Sequence, residues 1–232
     1  KTVTLDFSAR YSGTTITGGG ANEQKEISSA DSRLKHAMIY TPFPIKDLTA
    51  EAGAADDTEV GNLYNPLVNI SDNDRLQNRQ NYNLAGAFTW ELYKNLRLKM
   101  ELGYDDYRNA DSRYYGLTTY YIKNVPASEN QNLPAIILTN DTRSAIRTTN
   151  TLNYDFKGLI KNKDHSLNAM IGQEYINTQS QTLTTVVHGF PSGFNSDAAF
   201  RLTTQGKAYS IDNFFAPDDI LLSFFGRANY DY

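Results

Sequence analysis

The sequence predicts an all-β fold, an antiparallel up-and-down transmembrane β-barrel to which this chain contributes about six long strands. Three observations predict it. Runs of strict apolar/polar alternation last as long as a bilayer crossing, the connections between them alternate long and short, and the chain of 232 residues holds 16 Tyr. Period-2 alternation marks a strand with two different faces. A tilted strand needs about 9–11 residues to cross a bilayer core, whereas soluble strands are usually about 5–6 residues. Tyrosine has an apolar ring and a polar tip, which suits a membrane–water interface.

The first run sets Val3, Leu5, Phe7, Ala9 and Tyr11 against Thr4, Asp6, Ser8 and Arg10. The second sets Tyr82, Leu84, Gly86, Phe88, Trp90 and Leu92 against Asn83, Ala85, Ala87, Thr89 and Glu91. The third sets Leu96, Leu98, Met100, Leu102 and Tyr104 against Arg97, Lys99, Glu101, Gly103 and Asp105. A fourth runs from about Ile146 to Phe156, with Leu152 and Tyr154 opposite Arg147, Asn153 and Asp155. A fifth starts near His165, with Leu167, Ala169, Ile171 and Tyr175 opposite Asn168, Gly172 and Glu174. The sixth closes the chain, with Ile220, Leu222, Phe224, Gly226, Ala228 and Tyr230 opposite Ser223, Phe225, Arg227, Asn229 and Asp231.

Only Tyr93, Lys94 and Asn95 join runs two and three, and the short stretch 158–164 joins runs four and five. The remaining gaps, 12–79, 107–141 and about 180–219, are expected to be long loops. In an antiparallel meander this order puts every long loop at one end, the asymmetry of outer-membrane barrels. Within the first loop, Leu34, Ala37 and Met38 recur at helical spacing before Pro42 and Pro44, so a short helix is expected over 30–40.

The lipid-facing set is then Leu5, Phe7, Leu84, Phe88, Trp90, Leu98, Leu102 and Phe224. The polar set is Asp6, Arg10, Glu91, Arg97, Lys99, Glu101, Arg227 and Asp231, expected to line the barrel and brace it rather than to catalyse.

Composition excludes several classes. The absence of cysteine removes disulfides and thiolate metal sites. Net charge is −4 and basic residues are scattered, with no stripe for a phosphate backbone, so no nucleic-acid partner is expected. Mean hydropathy is −0.53 and no apolar stretch approaches the ~18 residues of a transmembrane helix.

No motif points to a catalytic residue, metal or cofactor. His36, His165 and His188 are far apart and read as isolated surface or pore-facing side chains. Asp72 and Asp74 echo the start of a calcium loop, but Leu76 replaces the next ligand. Adjacent carboxylates such as Asp105 and Asp106 point to opposite faces of a strand and cannot act on one bond. The cluster Tyr114, Tyr115, Tyr120 and Tyr121 is the candidate ligand-binding group. Its competing reading is the aromatic girdle, or packing between loops.

The closing text Leu221-Leu222-Ser223-Phe224-Phe225-Gly226-Arg227-Ala228-Asn229-Tyr230-Asp231-Tyr232 resembles a strand of the SusC/RagA family of TonB-linked outer-membrane transporters. Ser32-Arg33-Leu34-Lys35-His36-Ala37 before Pro42, Asn65-Pro66-Leu67, Asn153-Tyr154, His165-Ser166-Leu167 and Gly172-Gln173-Glu174 resemble further segments of the family in its order. The resemblance implies a barrel of about 22 strands in the cell outer membrane. It implies a plug domain and a TonB box that residues 1–232 do not include, so the whole chain is expected to be part of one barrel domain. It also implies import of glycans or peptides, with a SusD-like lipoprotein and the TonB complex as partners. The alternative is a soluble, secreted β-rich carbohydrate-binding module.

Overall fold

The computed structural model describes residues 2–18, 67, 71–119, 121, 122, 127–158 and 165–232. The helix expected over 30–40 lies outside these residues, as does Tyr120. The strands are β1 (Val3–Thr17), β2 (Asn73–Tyr93), β3 (Leu96–Tyr115), β4 (Ala135–Asp155), β5 (Ser166–His188), β6 (Lys207–Phe215) and β7 (Asp219–Asp231). Among the described residues, the connections include the short helices α1 (Ala127–Asn130) and α2 (Ser196–Arg201). All neighbouring strands pair antiparallel in sequence order from β1 to β6, while β7 also pairs with β5. The result is one up-and-down sheet, not closed among the described residues.

β6 and β7 behave as one interrupted strand. β6 pairs with Gln181–His188 and β7 with Ser166–Thr178, both on the same side of β5. The break falls at Ala216, Pro217 and Asp218, where proline has no N–H to give the ladder. Ala216 N still donates to Ser180 O at 3.0 Å, and Gln179 Nε2 donates to the Asp218 carboxylate at 2.8 Å. The sheet thus has six crossings.

Its short connections are at one end. The β2–β3 hairpin turns through Lys94 and Asn95, and Asn95 adopts φ 67°, a left-handed conformation that asparagine tolerates. The long connections are at the other end, as expected, but the strands are longer than the alternation implied. β3, β4 and β5 run 20, 21 and 23 residues. The expected loops over 107–141 and 180–219 therefore need correction: much of the first is the upper half of β3 and β4, and much of the second is β5 and all of β6. The first gap also shrinks, since β1 reaches Thr17 and β2 begins at Asn73.

Register sorts the side chains onto two faces. One row reads Val3, Trp90, Leu98, Leu152, Ile171 and Gly226 across six strands. The next reads Leu5, Phe88, Met100, Asn150, Gln173 and Phe224. Asn150 and Gln173, the two polar members, satisfy each other at 3.1 Å. This apolar face is not covered: Leu5 is 76% exposed, Phe7 73%, Ile171 64% and Phe224 77%. Every residue of the expected lipid-facing set lies on it, and every residue of the expected polar set lies on the opposite face.

The apolar band ends at an aromatic row. Tyr11 and Tyr82 pair with ring centroids 4.9 Å apart, and the same row continues through Asp106, Ser144 and Gln179. From Leu96 to Tyr104 the band covers about 27 Å of strand; barrel tilt reduces its height to about 20 Å. Outer-membrane barrels carry an apolar band about 25 Å tall. On the polar face, Gly172 sits opposite Phe225, and a Cβ there would lie 2.4 Å from the ring, so only glycine admits this cover.

Among the described residues the packed core is small and sits at the long-loop end. Tyr114, Ile136, Val187, Phe190 and Ala199 form one buried cluster on the side that continues the apolar face. Tyr115, Ile122 and Ala135 form a second on the polar side.

Candidate ligand-contact face

The polar face carries a ladder of charge and amide that lies beyond the apolar band. Asp111 accepts two bonds from Arg75, at 2.8 and 2.7 Å, and others from Arg113 at 3.1 and 3.2 Å. Gln77 donates to Asn109 at 2.9 Å, Asn109 to Asp141 at 2.9 Å, and Thr182 to Asp141 at 2.8 Å. These rungs brace four strands, β2 to β5. Burial pushes the Asp111 carboxyl up, but the two guanidinium groups outweigh it and hold the group below its ordinary value. A lowered folded pKa adds stability above the ordinary carboxylate value of 3.8 and loses it as pH falls through the folded value. The stability difference between wild type and Asp111→Asn should therefore be full at neutral pH and shrink in acid. An unfolding series from pH 7 down to pH 2 checks this; a difference that stays constant would remove the ion cluster from the account.

Lower on the same face, Lys99 and Glu101 pair at 2.6 Å, both side chains about two-fifths exposed. Such an exposed pair contributes little, about 0–1 kcal/mol.

The tyrosine cluster divides. Tyr114 and Tyr115 are consecutive strand residues and point to opposite faces. Tyr114 lies in the outer cluster, 6% exposed, with its hydroxyl donating to Phe194 O at 2.7 Å. Burial pushes its phenol up to about 12, helped by Asp72 and Asp74. Tyr115, also 6% exposed, lies on the polar side and stacks on Tyr121 at 4.5 Å. The structure thus brings together Tyr115 and Tyr121, and sends Tyr114 elsewhere.

Tyr121 continues into residues that the sequence did not single out for ligand contact. Its hydroxyl is 3.0 Å from His188 Nε2. Burial pushes the Tyr121 phenol up to about 12, so the hydroxyl keeps its proton at neutral pH. His188 is 1% exposed, and burial lowers its pKa despite Glu129 nearby, which keeps the imidazole neutral. The imidazole stacks on Tyr209 with centroids 4.5 Å apart and planes 18° apart. Tyr209 is half exposed, and the nearby Glu129 carboxylate raises its pKa. His188, expected to be isolated, is therefore the centre of a four-ring array. Only its place opposite Lys207, at the top of two paired strands, could have signalled this, and that pairing is not visible in the sequence.

The two aspartates that echoed a calcium loop have other partners. Asp72 accepts from Thr118 N and Oγ1, both at 2.8 Å, and Asp74 accepts from Ser196 Oγ at 2.7 Å. Both tie long connections to the start of β2. His165 hydrogen-bonds the Tyr230 hydroxyl at the short-turn end.

No family model matches the chain, and no curated protein matches it by sequence. By shape it is similar to the RagAB peptide importer in its open-open state, with a TM-score of 0.63 and 19% identity over 98% of this chain. A second RagAB peptide transporter structure gives 0.60 and 20% over 98%. The closed-closed state of the importer gives 0.58 and 23% over 73%. The likeness is one of fold. RagA is a namesake of the family that the closing strand text resembles. The chain spans 24% of the length of the first two structures and 17% of the third.

Proposed function

We propose that this chain is part of the wall of an outer-membrane TonB-dependent transporter, which imports glycans or peptides and performs no covalent chemistry. The observation that supports it is the two-faced sheet: a continuous, uncovered apolar band ending at tyrosines, with charged and amide side chains on the opposite face. An uncovered apolar surface of this extent is a liability in water and is stable against lipid. The polar face becomes the lumen and the long-loop end becomes the extracellular mouth. Import would draw on the TonB complex through a plug domain, and a SusD-like lipoprotein would cap the mouth. Of the tyrosines expected to meet ligand, Tyr115 and Tyr121 lie on the polar side, which an entering ligand would face, while Tyr114 serves packing.

The test is fractionation of cells that make the whole transporter, with gel migration compared before and after boiling. Recovery in the outer membrane with a heat-dependent shift is expected. A soluble protein with no shift would overturn this reading in favour of a secreted carbohydrate-binding module.

A further inference from the structure

The aromatic array on the polar side ends in one ring that is open. Tyr115, Tyr121 and His188 are stacked or hydrogen-bonded inward, and Tyr209 presents its second face outward, with half of its surface exposed. Its position is fixed from behind. A β-bulge between Val186 and Val187 inserts Tyr209 as an extra residue in β6, so its ring turns to the same side as His188. A bulge that re-aims a side chain is a recognised device beside binding sites. The Glu129 carboxylate lies near the phenol edge. Further along the same face of β6 come Asp212 and Phe214, the latter 62% exposed and about 16 Å from Tyr209 along the strand. Lys207 lies on the same face opposite His188.

These groups select among ligand chemistries. A cation would stack on Tyr209 but would meet Lys207. An anion would meet Glu129 and Asp212. A neutral ring with an apolar face and a rim of hydroxyls meets no such conflict: its C–H face covers the aromatic ring, and its hydroxyls find acceptors in Glu129 and Asp212 and a donor in Lys207. Two open rings along one strand suit several linked rings better than one.

We propose that Tyr209, flanked by Glu129 and Lys207 and continued by Phe214, is a binding site for a neutral oligosaccharide, with His188 and Tyr121 as positioning residues behind it. This rests on the reading of the polar face as a transporter lumen, and it chooses the glycan among the ligands that reading allows.

The experiment uses the whole transporter purified in detergent after its recovery from the outer membrane, so that failure of the transporter reading is seen first, in fractionation. Short neutral α-glucan, β-mannan and β-xylan oligosaccharides are then titrated calorimetrically, beside a mixed tetrapeptide and hexapeptide pool. At least one oligosaccharide is expected to bind. Tyr209→Ala should weaken it about tenfold or more, and Phe214→Ala by a smaller factor. Tyr209→Phe keeps the ring and should stay within about threefold. Unchanged binding in Tyr209→Ala would overturn the site. Binding of peptides alone by the wild type would overturn the ligand class while leaving the transporter reading intact.

Discussion

Replacing Phe190 by alanine is expected to cost about 3–5 kcal/mol, the largest single effect in the molecule. Phe190 is fully buried, at 0% exposure, in a chain that has little conventional core. Its ring packs in the cluster of Tyr114, Ile136, Val187 and Ala199, with Phe194 and Phe200 partly buried against it. Its backbone N donates to Pro134 O at 3.1 Å, which ties the 189–206 segment to the start of β4. Gly206 lies so close that a Cβ would be 2.8 Å from the ring. The alanine cavity therefore removes the centre of a small cluster that has few other anchors. The loss should appear as local opening of residues 189–206 rather than collapse of the sheet, because the ladder from β1 to β5 meets this cluster only at Tyr114, Ile136 and Val187 and is paired along the rest of its length without it. Limited proteolysis of the whole protein should cut this segment in the variant and spare it in wild type. Wild-type protease resistance in Phe190→Ala would show that the cluster does not hold the segment.

The second large effect is Leu98→Arg: on the proposed reading Leu98 lies within the lipid-facing band, a quarter of the way up from Leu96, where an arginine costs between about 1 kcal/mol at the interface and about 2–4 kcal/mol at the midplane. Leu98 lies between Trp90 and Leu152 in register, mid-row on the apolar face. Its surroundings include Ile171 and Phe224, the mutually bonded amides of Asn150 and Gln173, and no carboxylate to match a guanidinium. The control is Thr149→Arg on the polar face, between Glu101 and Glu174 in register, where a cation is matched by carboxylates. Urea titration of both variants refolded in lipid separates the cases. A Leu98→Arg protein as stable as Thr149→Arg would reverse the assignment of the faces.

The two variants probe different regimes of one sheet. Around Leu98 the medium does the sorting, and it does so with a period of two. Around Phe190 the protein covers its own strands, as any soluble protein does. The boundary is the row of Tyr11, Tyr82 and Asp106. Above it, both faces of β3 and β4 are polar or are packed by connections, so alternation fades while the hydrogen-bond ladder continues. That is why Tyr107–Tyr115 and Ala135–Ala145 read as loop and are strand.

By itself, the sequence determined the all-β class, the six crossings, the ends at which short and long connections fall, and the side of the sheet on which each of the eight expected apolar and eight expected polar residues lies. It did so because the two faces of a strand that meet different surroundings impose opposite demands on successive residues, and chemistry alternates accordingly. The tertiary structure alone decided how far the strands run past the band, that β6 and β7 share one edge of β5, and that Tyr114 and Tyr115 part company. It also decided that His188 meets Tyr121 and Tyr209. Those contacts join residues 67 and 21 positions apart, and the strand register and one β-bulge select them. Neither leaves a local pattern, since the partners of a ring are set by the neighbouring strand and not by the residues beside it in the chain.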